Sequence, residues 1–292
     1  MPTLLSAERA LEVAAVLGEG PVWDDRNSSL LFVDIVGETV HRYHPTTGAH
    51  NSFPTAAPVG AVALRDDDEL MLALAGHFAR CGADGSLIET FGDFRADATS
   101  VRFNDGKVDP WGRFVAGTMD WNERDALGSL YQLSPTGEVA VLADKVTVSN
   151  GLDWSADRRQ LFYVDSPTRR IDTFDVDPDT GTLSRRRVHL ETDPELGFPD
   201  GLTIDVEGCI WLACWGGSRV CRFTPDGHLD KVISLPVARV SSVAFGGARL
   251  DCLYITTAAG AAPEHPGAGS ARGGDLFVAD PGTQGWPTRR FG

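Results

Sequence analysis

Apolar and polar positions alternate along most of the chain in short runs, and no long stretch keeps a helical period. The runs SLLFVDI, QLFYVDS, CIWLACW and RIDTFDVD are seven or eight residues long and rich in β-branched and aromatic side chains. They are bounded by turn sequences such as PTTG, PDTG and PDG. This pattern predicts strands joined by tight turns.

The strands recur as groups. GPVW starts at Gly20, GAVAL at Gly60, GKVD at Gly106, GLDW at Gly151, GLTID at Gly201 and a degenerate SVAF at Ser242. Successive starts lie 40, 46, 45, 50 and 41 residues apart, and 50 residues remain after Ser242. The unit at Gly151 reads as four strands: GLDWS, QLFYVDS, RIDTFDVD and TLSRRRVHL. Four strands in roughly 40 to 50 residues is the size of a propeller blade. The expected fold is therefore all-β: a six-bladed β-propeller with four-stranded antiparallel blades around a central channel, residues 1–292 forming one domain. The segment ALEVAAVL, residues 10–17, is expected to lend a strand to the last blade and close the ring. Its Ala and Glu content offers a short amphipathic helix as the alternative.

Because first strands of blades line the channel, equivalent residues at their starts meet around one mouth. The position before each repeat start holds Glu19, Val59, Asp105, Asn150, Asp200 and Ser241. Taken singly, Asp-Gly and Asn-Gly read as turns that favour positive φ. Glu19 does not fit that reading, since Glu is a poor turn residue and here precedes Gly20 and Pro21. Taken together, the set is rich in side-chain oxygen and lacks Cys and His, which suits a hard divalent ion such as Ca²⁺, Mg²⁺ or Mn²⁺. Glu19, Asn150 and Asp200 are the candidate metal ligands, and three ligands leave positions for water or substrate. Asn104 precedes Asp105, and either side chain could face the channel.

Composition narrows the partners. The 292 residues include 41 acids and 26 bases, a formal charge of -15, which disfavours nucleic acid and anionic membranes. Arg185, Arg186 and Arg187 form a basic triplet too short to change this and are expected on a solvated strand. No apolar run is long enough to span a membrane and no basic leader precedes an apolar core, so a cytoplasmic location is expected. Five cysteines without a CxxC pair argue against a disulfide framework or zinc knuckle and are expected to be buried small hydrophobes. No GxSxG elbow or HExxH motif is present. The GAGSARGG stretch, residues 267–274, lacks a P-loop lysine and reads as a flexible loop between strands.

The stretches LGEGPVW, RFNDGKVDPWGRFVAGTM, SNGLDWS, FPDGLTIDVEGCIWLACWGG, RFTPDG and FGG, in that order, resemble the gluconolactonase and regucalcin (senescence marker protein) group of six-bladed propeller lactonases. The resemblance covers most of the chain, and RFNDGKVDP followed by GTM is its most specific part. It implies metal-dependent hydrolysis of a sugar aldonolactone to the aldonic acid, with the small-molecule lactone as partner. It also implies one divalent ion, most simply Ca²⁺ with Zn²⁺, Mn²⁺, Mg²⁺ or Fe²⁺ as alternatives, on the Glu of GEGP, the Asn of SNG and the Asp of PDG. Those are Glu19, Asn150 and Asp200, the set the repeat had already selected. The resemblance further implies substrate contacts from Arg102 and Asn104. It departs three positions after the Met of GTM, where the group often has an acid and this chain has Asn122. Asp120, Asn122 or Glu123 is expected to meet the sugar there, with Asp200 as general base and Asp105 fixing the turn into the third blade. A related hydrolase of other lactones or phosphoesters and a non-enzymatic calcium-binding propeller are the competing expectations. Nothing in the sequence sets an oligomeric state.

Overall fold

Residues 1–94, 99–260 and 273–292 are described by a computed structural model, so GAGSARGG lies outside the described residues up to Arg272. Six antiparallel sheets follow one another around a ring, and their innermost strands are Gly18–Asp24, Val59–Leu64, Val101–Val108, Ser149–Trp154, Phe198–Ile204 and Val240–Gly246. These six strands contain the six repeat starts read from the sequence. Among the described residues the only helical pieces are two 3-10 turns, Ser166–Thr168 and Pro194–Leu196.

Each blade buries both faces of its inner strands, and one apolar cluster fills each gap between neighbours. Blades 1 and 2 share Leu31, Val33, Val62 and Leu72, and blades 5 and 6 share Trp211, Ile233, Val243 and Ile255. The cluster of Trp23, Phe32 and Tyr43 with Tyr254 and Leu276 seals blade 6 against blade 1. Each fully buried side chain of this size contributes about 1.5–3 kcal/mol, so the seal is a substantial part of ring stability.

The N-terminal segment adds the outer strand of blade 6, and that strand starts before the expected residues 10–17 and shares only Ala10 and Leu11 with them. The strand Glu8–Leu11 pairs antiparallel with Leu276–Ala279 as the outer strand of blade 6, while residues 12–15 form no regular element. The sequence reading had placed the strand within residues 10–17. Those later residues instead give their amides to side chains, Val13 and Ala14 to Asp275 and Val16 and Leu17 to Asp34. The amphipathic helix does not form. A further strand, Thr3–Ser6, pairs parallel with Leu229–Ser234 and makes blade 5 five-stranded.

The Asp-Gly and Asn-Gly signature has a different cause from the turn expected of it. Gly60, Gly106, Gly151 and Gly201 lie within strands, and none has positive φ; of these repeat glycines only Gly20 does, at 49°. A Cβ on Gly151 would sit 2.5 Å from the carbonyl oxygen of Asp200, and one on Gly60 would sit 2.4 Å from that of Asn104. Inner strands of neighbouring blades approach backbone to backbone around the channel, and only glycine permits it. Gly151→Ala is expected to destabilise the protein by about 1–3 kcal/mol in urea unfolding. An unchanged midpoint would contradict this packing argument.

Other expectations hold in detail. Four of the five free cysteines are buried, and Cys252 is half-buried. Arg185, Arg186 and Arg187 lie on the exposed outer strand Leu183–Glu191, where they pair with Asp172 and Asp175. No helix of the described residues is long and apolar enough to cross a membrane.

One outer-strand pair makes blade 1 sensitive to acid. His41 stacks on Phe32 and on His50, and its Nδ1 lies 3.0 Å from His50 Nε2. Burial, reinforced by His50, pushes His41 from 6.5 down to about 4. The unfolded chain therefore binds this proton more readily than the folded one. The stability that His41 contributes is complete above about pH 6.5 and is lost as pH falls toward 4. His41→Phe is expected to flatten the fall in Tm across that window; an unchanged pH dependence would assign the effect elsewhere.

Candidate functional site

The inner strands all start at one face, here called upper, and each slips in register against its neighbour at or next to the repeated position. The slips fall between Glu19 and Val22, Val59 and Ala61, Phe103 and Gly106, Ser149 and Leu152, Pro199 and Leu202, and Val240 and Ser242. Such bulges re-aim side chains that the ordinary alternation would send into a blade. The upper mouth consequently opens into a cavity of about 380 Å³. Its polar lining is Glu19 from blade 1, Arg102, Asn104 and Glu123 from blade 3, Asn150 and Ser166 from blade 4, and Asp200 from blade 5. Its walls include Leu17, Met119, Val148, Phe198 and Trp215.

Glu19, Asn150 and Asp200 thus come together as the sequence implied, although 50 or more residues separate any two of them. They are 3%, 5% and 5% exposed, so the two carboxylates have little water to stabilise their charge. Glu19 Oε2 accepts the Gly20 amide at 2.8 Å, whereas Asp200 Oδ1 has no hydrogen-bond partner. Burial and then Asp105 push Glu19 up to about 8, against the pull of the Gly20 amide and Arg102. Asp200 is raised well above the usual carboxylate range by burial, then by Glu19, Asp105 and Glu123. Asp105 is itself raised to about 6 by burial, with Lys107 opposing. The channel beneath the mouth is therefore a cluster of carboxyl groups short of positive charge.

The neighbours are orienting groups. Asn104 donates both amide hydrogens, to Ser149 O at 2.7 Å and Asn150 Oδ1 at 2.8 Å, and its Oδ1 accepts from Arg102 Nη1 at 2.6 Å. Asn104 is thereby committed as a brace between Arg102 and Asn150. Asn150 Nδ2 donates to Ser166 Oγ at 2.8 Å, and Ser166 Oγ donates to Pro199 O at 2.6 Å. This fixes which end of the Asn150 amide is oxygen and leaves that oxygen a second lone pair. Arg102 lies over the Trp121 ring at 5.3 Å and is pulled down to about 10 by burial, against Glu123, Glu19 and Asp200.

The structure does not bring Asp120 and Asn122 to the cavity. Asp120 accepts the amides of Asn122, Arg124 and Asp125, which hold its carboxyl below the usual range. It pairs opposite Val101 as Asp34 pairs opposite Gly18 and Asp165 opposite Ser149, and those two also accept backbone amides. The shared endings FVD, TMD and YVD of the second strands carried that signal in the sequence. Asn122 is exposed and its amide groups turn back on Asp120. Glu123, held at φ 57°, is the loop residue that lines the cavity. Asp105 contacts the Gly106 amide at 2.7 Å, but it also belongs electrostatically to the channel. Ser166 and the walls of Phe198 and Trp215 were not named from the sequence.

The lower mouth is different. Residues 284–292 cross it, with Trp286 Nε1 donating to Asp205 O, Arg289 pairing with Asp153 at 3.2 Å, and Phe291 N donating to Leu64 O. The cavity left there is about 80 Å³, and its charges, Lys107, Asp153 and Arg289, are mutually paired. The unpartnered carboxylate oxygen of the channel, Asp200 Oδ1, is at the upper end.

Residues 17–259 match the family described as SMP-30/Gluconolactonase/LRE-like region. The chain belongs to this family. It is 41% identical over 248 residues to regucalcin of Xenopus laevis, covering 83% of each chain. It is 36% identical over 276 residues to a Bacillus subtilis protein, YvrE, whose name proposes a sugar lactone lactonase, covering 94% of each. Among solved structures, luciferin-regenerating enzyme superposes with a TM-score of 0.89 at 30% identity, over 95% of this chain and 96% of that one. A calcium-binding protein, regucalcin, from Agrobacterium tumefaciens gives 0.90 at 24% identity over the whole of both chains and attests the fold.

Among the described residues no group of three His, Cys, Asp or Glu side chains is placed to hold a metal. The set in this family member is instead two carboxylates and an amide, and it fits a hard divalent ion. All donors are oxygen, both carboxylates are buried and mutually repelling, one oxygen of Asp200 is unpartnered, and the Asn150 carbonyl is fixed in orientation.

Proposed function

We propose that this protein is a divalent-metal-dependent lactonase that opens sugar aldonolactones to aldonic acids in carbohydrate metabolism. The observation that carries the proposal is the convergence of Glu19, Asn150 and Asp200, with an unpartnered carboxylate oxygen, beside Arg102 in a cavity of about 380 Å³. Membership of a family that includes gluconolactonases, and the name of YvrE, support the substrate class.

The reaction adds water to the lactone carbonyl carbon and breaks the bond from that carbon to the ring oxygen, which leaves as a hydroxyl of the open-chain acid. Glu19, Asn150 and Asp200 would hold a divalent ion, with Ca²⁺ the first choice, which would supply the positive charge this cluster lacks and the Lewis acidity to polarise the carbonyl. Asp200 orients the attacking water and accepts its proton through the oxygen that no protein group occupies. Arg102, braced by Asn104, donates to hydroxyls of the sugar and sets its orientation. Glu123, rather than Asp120 or Asn122, supplies the acidic contact from the loop. Leu17, Met119 and Val148 exclude water from the reacting end.

The test is acid release from a panel of aldono-1,4- and 1,5-lactones, alongside aryl esters and phosphotriesters. Turnover of sugar lactones above spontaneous opening, and above that of the other esters, supports the proposal. Turnover of the other esters alone would redirect it to a different ester class. The same uncompensated carboxylates also suit a metal-binding propeller with no enzymatic role, and ion uptake without any turnover would establish that reading.

A further inference from the structure

Several half-buried or buried arginines pair with acids, among them Arg113 with Asp109, Arg222 with Asp205 and Arg290 with Asp24. Three half-buried arginines near the upper mouth do not. Arg169, Arg219 and Arg239 form no ion pair with a carboxylate of the described residues. Each donates instead to a backbone carbonyl: Arg169 Nη1 to Gly197 O at 3.2 Å, Arg219 Nε to Gly217 O at 2.7 Å, and Arg239 Nη1 to Ala259 O at 2.8 Å.

Two of them, Arg169 and Arg239, stand behind one wall of the cavity. Phe198 and Trp215 are cross-strand partners, both line the cavity, and Trp215 also bridges to Arg239. The Arg169 guanidinium lies 3.7 Å from the Phe198 ring centroid, and that of Arg239 lies 5.5 Å from the Trp215 ring. A carbonyl and an aromatic face orient a guanidinium without cancelling its charge, and each group keeps further N–H donors. In a chain of formal charge -15, half-buried cations without a counter-ion are not explained by solubility. They form a local positive field where the overall field repels anions.

The spacing relates them to the reacting end. Phe198 and Asp200 lie two residues apart on one strand and both line the cavity, a separation of roughly 7 Å. That is on the scale of a six-carbon chain from its carbonyl to its far end. We propose that Arg169 and Arg239, standing over Phe198 and Trp215, form a subsite for an anionic group at the far end of the substrate. The preferred substrates are then lactones that carry a carboxylate or a phosphate remote from the lactone carbonyl. This rests on the lactonase reading and narrows it.

The experiment compares kcat/KM for a neutral hexonolactone, a hexarolactone with a terminal carboxylate, and a hexonolactone 6-phosphate, at low and high salt. Wild type is set against the Arg169→Met, Arg239→Met double variant. At least one anionic lactone is expected to be preferred by about tenfold or more, with the preference shrinking at high salt and in the variant. The larger ratio names the anion. Equal kcat/KM for all three lactones, or a preference that survives the double substitution, overturns the subsite. If the variant does not fold, the salt dependence of the wild-type ratio decides alone. If no lactone is hydrolysed, the lactonase reading fails by itself, and calorimetry with the open-chain hexarate and hexonate still tests the subsite. Tighter hexarate binding that weakens with salt supports it, and equal binding overturns it.

Discussion

Asp200→Ala is expected to lower kcat/KM for the best lactone by about 10³-fold or more, while the ring stays folded. Asp200 stands at the centre of the carboxyl cluster, 5% exposed, with one oxygen unpartnered and its ionised form disfavoured by burial, Glu19 and Asp105. A group so placed destabilises the protein without metal and is retained for what it does when the site is filled. The variant measured in chelator should therefore melt at the wild-type temperature or above it. Relief of a buried unsatisfied carboxylate is worth about 1–3 kcal/mol. Far-ultraviolet circular dichroism establishes folding, and acid release measures the loss. A folded variant that retains turnover removes Asp200 from the mechanism.

Divalent metal should produce the second large effect, on stability rather than rate. An ion that binds only the folded chain stabilises it by about 2.7 kcal/mol at a concentration 100 times its Kd. For a chain of this size that is a rise in Tm of about 4–5 °C. Chelation should reverse the rise. Glu19→Gln and Asp200→Asn should each abolish it, because each removes one of the two carboxylates on which a hard cation depends. The scan is run with Ca²⁺, Mg²⁺, Mn²⁺ and Zn²⁺ in turn, and the ion giving the largest shift at equal concentration is the preferred occupant. A shift of equal size in wild type and in both variants would place the ion elsewhere on this acidic surface.

What the sequence disclosed follows from how a propeller is built. A ring of like units puts equivalent positions at one radius and one height, so six recurrences of a short motif were enough to gather Glu19, Asn150 and Asp200 across 182 positions of chain. The reason for the recurrence was misjudged. Glycine follows the functional position because neighbouring inner strands touch there, as the Gly151 approach to Asp200 O shows, and not because a turn needs positive φ. Arg102 was within reach of the same logic. It lies two residues before Asn104 on one strand, so alternation puts both on the same side, while the slip after Phe103 re-aims the chain at Asp105.

Loops between strands obey no repeat, so the residues after the GTM stretch are less legible. Asp120, opposite Val101, is the third-blade counterpart of Asp34 and Asp165, a carboxylate that ties down backbone amides. Phe198 and Trp215 reach the cavity as cross-strand partners at the upper end of blade 5, a pairing that one sequence without its partners in space does not display. The strand at Glu8–Leu11 is offset from the expected residues 10–17 for a related reason. Its outer position in blade 6 leaves it half-exposed, with only a weak alternation to mark it.

The central claim is that turnover belongs to a divalent ion held by Glu19, Asn150 and Asp200. The most direct measurement removes all metal, verifies its absence by elemental analysis, and follows lactone hydrolysis as one ion is titrated back. The account predicts no activity above spontaneous opening in the metal-free protein, and a linear rise that breaks at about one ion per chain. Full activity in verified metal-free protein would contradict it.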